Sequence, residues 1–431
     1  MSTSISRKAF TTRYFRVSGR PATPKLFSAG SLGQRMGFLS GPITFECFRV
    51  SGSPPAQFGP QHVEILERFA ISQTVTSSTE QAAVGFLAGG HLLDLDFDLE
   101  KNLIGDALHC AVRIDTNPIP AAVRKAWLEM ELAAVAADNP SGRPTKVQRQ
   151  EAKEAVAARC EEEAGSGRFR RMQQFPLLWD ARNGLLFFGG SSATASELCC
   201  DLFNRAFDLE LERLTAGRRA SEWAVVAKRR KALEEVVPSV FRGTAAAAEI
   251  AWHNHEAGNF DFLGNEFLLW LWWYWETQSD SLTLPDDSEV TGMFARTLSL
   301  QCPRDESGKE TITAEAPVRL PEAAQAIHSG KLPRKAGLVL VRHGRQYSLV
   351  LQAETFSVSG AKIQAAENEE ASEGRGAVED RIESVRGLHE TLDLLFHAFL
   401  ERRIGKTWSD DLEKMRHWLK TDATKTRKPA A

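Results

Sequence analysis

With 431 residues, 42% hydrophobic and 25% charged, the chain is long enough for two or three domains and has the composition of an ordinary soluble globular protein. Its formal net charge of −3 excludes a binder that relies on overall basicity, but says nothing about where positive residues gather. The six cysteines, Cys47, Cys110, Cys160, Cys199, Cys200 and Cys302, form no C-x-x-C pair. That spacing argues against a zinc site and suits reduced, buried thiols in the cytosol.

Residues 1–35 are rich in Ser, Thr, Gly and basic residues and weak in periodicity, and read as a poorly ordered extension. Arg7, Lys8, Arg13 and Arg16 interrupt any signal-peptide core. The pentapeptide Phe15–Gly19 recurs at Phe48–Gly52. From Pro42 onward Ile43, Phe45 and Cys47 alternate as in a half-buried strand. Val63, Ile65, Leu66 and Phe69 form a short helical stripe. Strands are expected at Val84–Phe86, Leu92–Phe97 and Ala107–Ile114. Pro120 then opens a helix whose buried face would carry Val123, Trp127, Met130 and Ala134. A break at Asp138–Pro144 precedes a charged, Ala-rich helix over Lys146–Glu163.

Residues 168–207 carry the densest local signals. Arg168, Phe169, Arg170 and Arg171 form a basic cluster around one aromatic. A hairpin follows over 175–188, signalled by Asn183-Gly184, a pair that suits the positive φ of a type I′ turn. Ser192 is the expected N-cap of a helix whose apolar face holds Leu198, Cys199, Leu202, Phe203 and Ala206. Residues 213–242 are the next basic window, with eight positive and three acidic side chains and a run Lys228, Arg229, Arg230, Lys231 at its centre. The aromatic helix at 265–276 reads as core or interface packing, and its longest apolar stretch, nine residues from Phe267 to Trp275, is too short to span a bilayer. A short helix ends at Gly330, a second hairpin is expected over 337–351 around His343-Gly344, and a long amphipathic helix runs from Val378 to Phe399. These elements give an α+β class: antiparallel sheets with hairpins packed against amphipathic helices. The domain division expected is 36–215 and 216–405, with a short helix and disordered tail over 406–431.

Three chemical readings compete. Arg342-His343-Gly344 spells the signature of histidine phosphatases, in which the histidine is the nucleophile, but here it falls between two strands. His253-Asn254-His255-Glu256 invites a metal reading, although only His253 and Glu256 would share a helix face. The chain has no phosphate-binding P-loop and no nucleophile elbow. No catalytic residue, metal or cofactor is therefore assigned. Basic clusters suit phosphate, which arginine grips with a planar fork.

The pieces in order resemble the recombination-associated protein RdgC family, over about residues 40–405. The resemblance rests on Val84-Gly85-Phe86, on Ile119-Pro120 with the following helix, and on Trp179-Asp180-Ala181-Arg182-Asn183-Gly184-Leu185. It rests also on Phe267–Trp273, and on Ile327-His328-Ser329-Gly330-Lys331 with Lys335 and Leu338 beyond. It implies an RdgC-like, multi-domain, ring-shaped homodimer that binds double-stranded DNA without sequence preference, with single-stranded DNA as a further ligand. The same resemblance implies that the protein antagonises the RecA recombinase and is cytoplasmic and nucleoid-associated. It implies a DNA-contacting aromatic finger at Phe169, flanked by Arg168, Arg170 and Arg171, with Lys331 and Lys335 as further contacts. Lys228, Arg229, Arg230 and Lys231 complete the expected DNA-binding set. The family's Lys-Lys-Gln patch is replaced near Ala314-Glu315-Ala316, which favours a rival reading, an interaction scaffold of phage or mobile-element type that kept the fold without DNA binding. A hydrolase using His343 is a second rival.

Overall fold

The structure, a computed structural model, describes residues 37–71, 82–241, 258–303, 308–364 and 374–420. The FRVSG copy at 15–19, the histidines His253 and His255, and the expected tail beyond 420 lie outside the described residues.

One strand organises the sheet. Strand β1 (Ile43–Ser51) pairs with β13 (Val358–Gln364) at its start and with β6 (Leu185–Phe188) and β7 (Glu210–Arg213) further on. Around it, β2 (Ala83–Leu87), β4 (Ala107–Thr116), β5 (Arg171–Asp180), β9 (Glu289–Gln301), β10 (Lys309–Ala314), β11 (Leu332–Arg342) and β12 (Arg345–Gln352) complete the order β10-β9-β11-β12-β13-β1-β6-β5-β4-β2. The short strands β3 (Leu103–Ile104) and β8 (Ser281–Thr283) add to β4 and β9. Every strand ladder is antiparallel, so the chain is a mixed α+β protein built on one large antiparallel sheet.

β1 is a central strand, not the half-buried one that its first alternation suggests. Ile43, Phe45 and Cys47 enter one core, while Phe48 and Val50 enter another. The first core gathers α6 (Ala216–Val226), α8 (Phe262–Thr277), α10 (Arg375–Arg403) and α11 (Trp408–Trp418) against β9 and β11–β13. The second places α1 (Pro60–Arg68) and α5 (Ala193–Phe207) on β4–β6. Alternation is muted wherever both faces of a strand are covered. In β6, Leu185 and Phe187 go to the first core, and Leu186 and Phe188 to the second.

The strongest helical patterns match the structure. α5 buries Cys199, Leu202 and Phe203, with Leu198 and Ala206 packed beside them. α10 buries Val378, Ile382, Val385, Leu388, Leu392, Leu395, Phe396 and Phe399, the apolar stripe that the pattern predicts. α8 buries every residue from Phe262 to Trp273, so the aromatic run is core. Other expectations need correction. Leu92–Phe97 is a loop, because the Asp94 carboxylate gathers the Gly90 and Asp96 N–H groups and the Lys101 ammonium and bends the chain. In α3 (Ala121–Ala137), Met130 is 62% exposed and Ala134 is exposed too, so neither belongs to the buried face. α3 packs on α4 (Lys146–Ser166), where Val123 and Trp127 meet Val156 and Cys160, and no described residue covers Met130.

The two hairpins differ from each other. At Ala181–Gly184 the loop has four residues and only Gly184 takes positive φ (61°), so it is not a type I′ turn. Asn183 instead donates from Nδ2 to the Asp180 carboxylate at 2.8 Å, and its carbonyl accepts from Arg49. The type I′ pattern is found at His343-Gly344, with φ of 50° and 78° between the Arg342–Arg345 pair.

Burial holds the pKa of His109, His389 and His397 down, which sets an acid limit, and of the three His109 is the one in the sheet. His109 on β4 is 2% exposed, and neither ring nitrogen has a hydrogen-bond partner among the described residues. Burial, with the Lys101 charge adding to it, pushes its pKa down to about 4. Between the ordinary value of about 6.5 and that value the unfolded chain binds a proton that the folded one refuses, so stability falls as pH falls. At pH 5 the cost is about 2 kcal/mol for this histidine. His109→Leu removes it, so its urea midpoint relative to the parent is expected to rise between pH 7 and pH 5. An unchanged difference would count against a neutral His109.

Candidate nucleic-acid interface

α4 ends at Gly167, whose φ of 69° is the left-handed cap that glycine adopts freely. Arg168 and Phe169 follow in a turn, and β5 begins at Arg171. Arg168 and Arg171 are exposed. Arg168 leans on its neighbour, with its guanidinium carbon 5.9 Å from the Phe169 ring centre.

Phe169 does not project as a finger. Its ring is half-buried against Ile119, Val156 and Cys160, beside Val123, Trp127 and Leu128. α4 is rich in alanine on its inner face, and the phenyl ring closes the base of the α3–α4 pair. Arg170 is also engaged: its Nε and Nη2 donate to Asp115 at 3.1 and 2.5 Å. Asp115 is 2% exposed and takes a second fork from Arg113 at 2.7 and 2.8 Å. A guanidinium committed to a buried carboxylate is not available to a phosphate without breaking that pair.

The basic window divides sharply. Arg213 pairs with Glu46 at 3.1 Å, and Arg218 pairs with Glu212 and, at 3.5 Å, Glu222. Arg219 is buried, where it meets Asp393, the Leu214 carbonyl and the face of Phe356. The other four behave differently. α6 stops at Val226, Lys228 takes a φ of 55°, and α7 (Arg230–Glu234) starts two residues later, anchored by buried Leu233. This makes an elbow in which every residue from Val225 to Lys231 is exposed. Lys228, Arg229, Arg230 and Lys231 have no ion-pair partner among the described residues. Arg242 lies outside the described residues.

Lys331 is 4% exposed and its ammonium is bound by Glu310, so it presents nothing to a surface ligand. Lys335 is exposed on β11, opposite Gln352. Five inter-strand steps separate β11 from β5 in the sheet order, roughly 24 Å at the usual strand spacing. The structure therefore does not bring Lys335 and Arg171 together. Sequence reasoning missed Lys309 on β10 and Lys362 on β13, both exposed; only strand register could have joined them to Lys335.

His343 sits at the exposed tip of its turn, while neighbouring Arg342 points inward to Asp286, Ser288 and Glu390. Among the described residues no three His, Cys, Asp or Glu side chains are grouped to hold a metal ion. Among them, too, no helix is long and apolar enough to cross a membrane. Burial pushes the Cys47 thiol up to about 11, beside Arg219, which leaves it a poor nucleophile near neutral pH. No protein-family model matches this chain, and no curated protein matches it either.

Proposed function

We propose that this protein is a non-enzymatic DNA-binding protein without sequence preference that acts in recombination or replication. In this reading it covers or encircles duplex DNA as a homodimer of the RdgC kind and so restrains a RecA-type recombinase. The observation that carries the reading is the elbow at Val225–Lys231: four consecutive cations, all exposed and none ion-paired among the described residues, in a chain where Arg213, Arg218 and Arg219 of the same window are committed to carboxylates. Phosphate contacts need only such unspent charge, because they position the ligand and carry no base code. Arg168 and Arg171 add two exposed cations at a second place.

The test is a fluorescence-anisotropy titration of a short duplex at several salt concentrations. The variant K228N/R229Q/R230Q/K231Q keeps a residue that tolerates the left-handed conformation at position 228. Binding is expected to weaken by about 30-fold or more at low salt, and the slope of log K against log salt to shrink by about 3 to 4. Unchanged affinity and slope would remove the elbow from the interface. The scaffold reading is favoured by a separate observation, that Phe169, Arg170 and Lys331 are all taken up internally. A parent protein that binds no duplex even at low salt would select it.

A further inference from the structure

Among the described residues, the β9–β13 half of the sheet is covered on one face only. Leu298, Leu300, Leu338, Leu340, Leu349 and Leu351 point into the helical core. On the opposite face, register places Lys309 across from Gln301 of β9, Lys335 between Ser299 of β9 and Gln352 of β12, and Lys362 across from Ser348 of β12. These positions share one side because side chains alternate along each strand and paired residues face the same way. All three lysines are exposed, and none is ion-paired among the described residues. Their neighbours on that face are Thr311, Thr313, Ser348, Gln352 and the exposed Met293 and Val341; the Glu354 carboxylate, which accepts from Gln352 and pairs with Arg334, borders the face, and Glu289 stands apart at the far end of β9.

The three lysines form a diagonal row. From Lys309 to Lys335 is two strands across and two residues along, about 12 Å. From Lys335 to Lys362 is two strands across and four residues along in the same sense, about 17 Å. The row therefore spans about 28 Å, which is about eight base-pair steps at roughly 3.4 Å each. The aromatic rings of this half, Tyr347, Phe294 and Phe356, are buried on the other side. Without rings to stack on, a single strand gains nothing from its bases here.

We propose that this open sheet face is a second nucleic-acid contact, a platform that binds the phosphate backbone of duplex DNA through Lys309, Lys335 and Lys362. It rests on the DNA-binding reading and adds to the elbow a surface on a different part of the fold.

The experiment uses the full chain and the same duplex, with K309Q/K335Q/K362Q compared to the elbow variant and to K309R/K335R/K362R. The glutamine variant is expected to bind about tenfold more weakly at low salt, with the salt slope reduced by about 2 to 3, and the arginine variant to bind as the parent does. Circular dichroism melting checks that both fold. A glutamine variant with the parent's slope overturns the platform, even where the elbow variant shows that DNA binding is real. Loss in the glutamine variant alone supports the platform and removes the elbow. A parent that binds no duplex overturns both. Tighter binding of a single strand of equal length than of duplex overturns the backbone-only assignment.

Discussion

Arg386→Ala is expected to cost about 3–5 kcal/mol of folding stability, several times what an exposed ion pair contributes. Arg386 of α10 donates to Asp180 from Nε at 3.1 Å and from Nη2 at 2.7 Å, and to Asp106 at 2.5 Å. Asp180 ends β5 and is fully buried. Truncating the arginine leaves its carboxylate with the Asn183 amide and no cation, while Asp106 keeps Arg182 at 2.8 Å. The loss therefore falls on one uncompensated charge. The double variant Arg386→Met with Asp180→Asn removes that charge and is expected to recover more than half of the cost, in a denaturant series read as a double-mutant cycle. A double variant as unstable as Arg386→Ala would show that packing of α10, not charge, ties the hairpin down.

Gly264→Ala is expected to cost about 3 kcal/mol, against the usual gain of up to about 1 kcal/mol for this change inside a helix. Gly264 lies in α8, and a Cβ there would fall 1.9 Å from the Ala353 carbonyl oxygen. Neither side yields easily. The next residue, Asn265, donates to the Pro333 carbonyl and to Glu354, and the Ala353 N–H is bonded to the Arg334 carbonyl. The helix is thus held against the turn by the bonds that leave no room for a methyl group. Gly165→Ala in α4, where nothing lies within 4 Å, is the control and is expected to be neutral or stabilising. Equal melting temperatures for the two variants would refute the contact.

The same accounting of charge shapes the functional reading. Arginines in this protein serve two purposes. Arg219, Arg342, Arg386 and Arg403 are buried and bind carboxylates: Arg219 and Arg403 join helix to helix, and Arg342 and Arg386 join α10 to the two hairpins. Exposed cations without an ion pair among the described residues include those at the α6–α7 elbow, at the end of α4 and on the open sheet face. A net charge of −3 hides this division, since it counts locked and free cations alike.

Local pattern was enough for much of the architecture. The apolar stripe of α10, the face of α5, the buried aromatic helix α8 and the positions of both hairpins follow from periods of 3.6 and 2 and from turn residues. Each depends on neighbours within one element, so the information is contiguous in the chain. The fate of the charges was not contiguous. Whether Arg170 is free depends on Asp115, and whether Lys331 is free depends on Glu310. The family resemblance implies an exposed finger at Phe169, but α3 folds over α4 and takes its ring. The row Lys309, Lys335, Lys362 exists only once strand register has aligned three distant segments on one face. Sequence determined which segments fold and which side of each is apolar; tertiary pairing alone decided which cations are spent inside the protein and which remain for a partner.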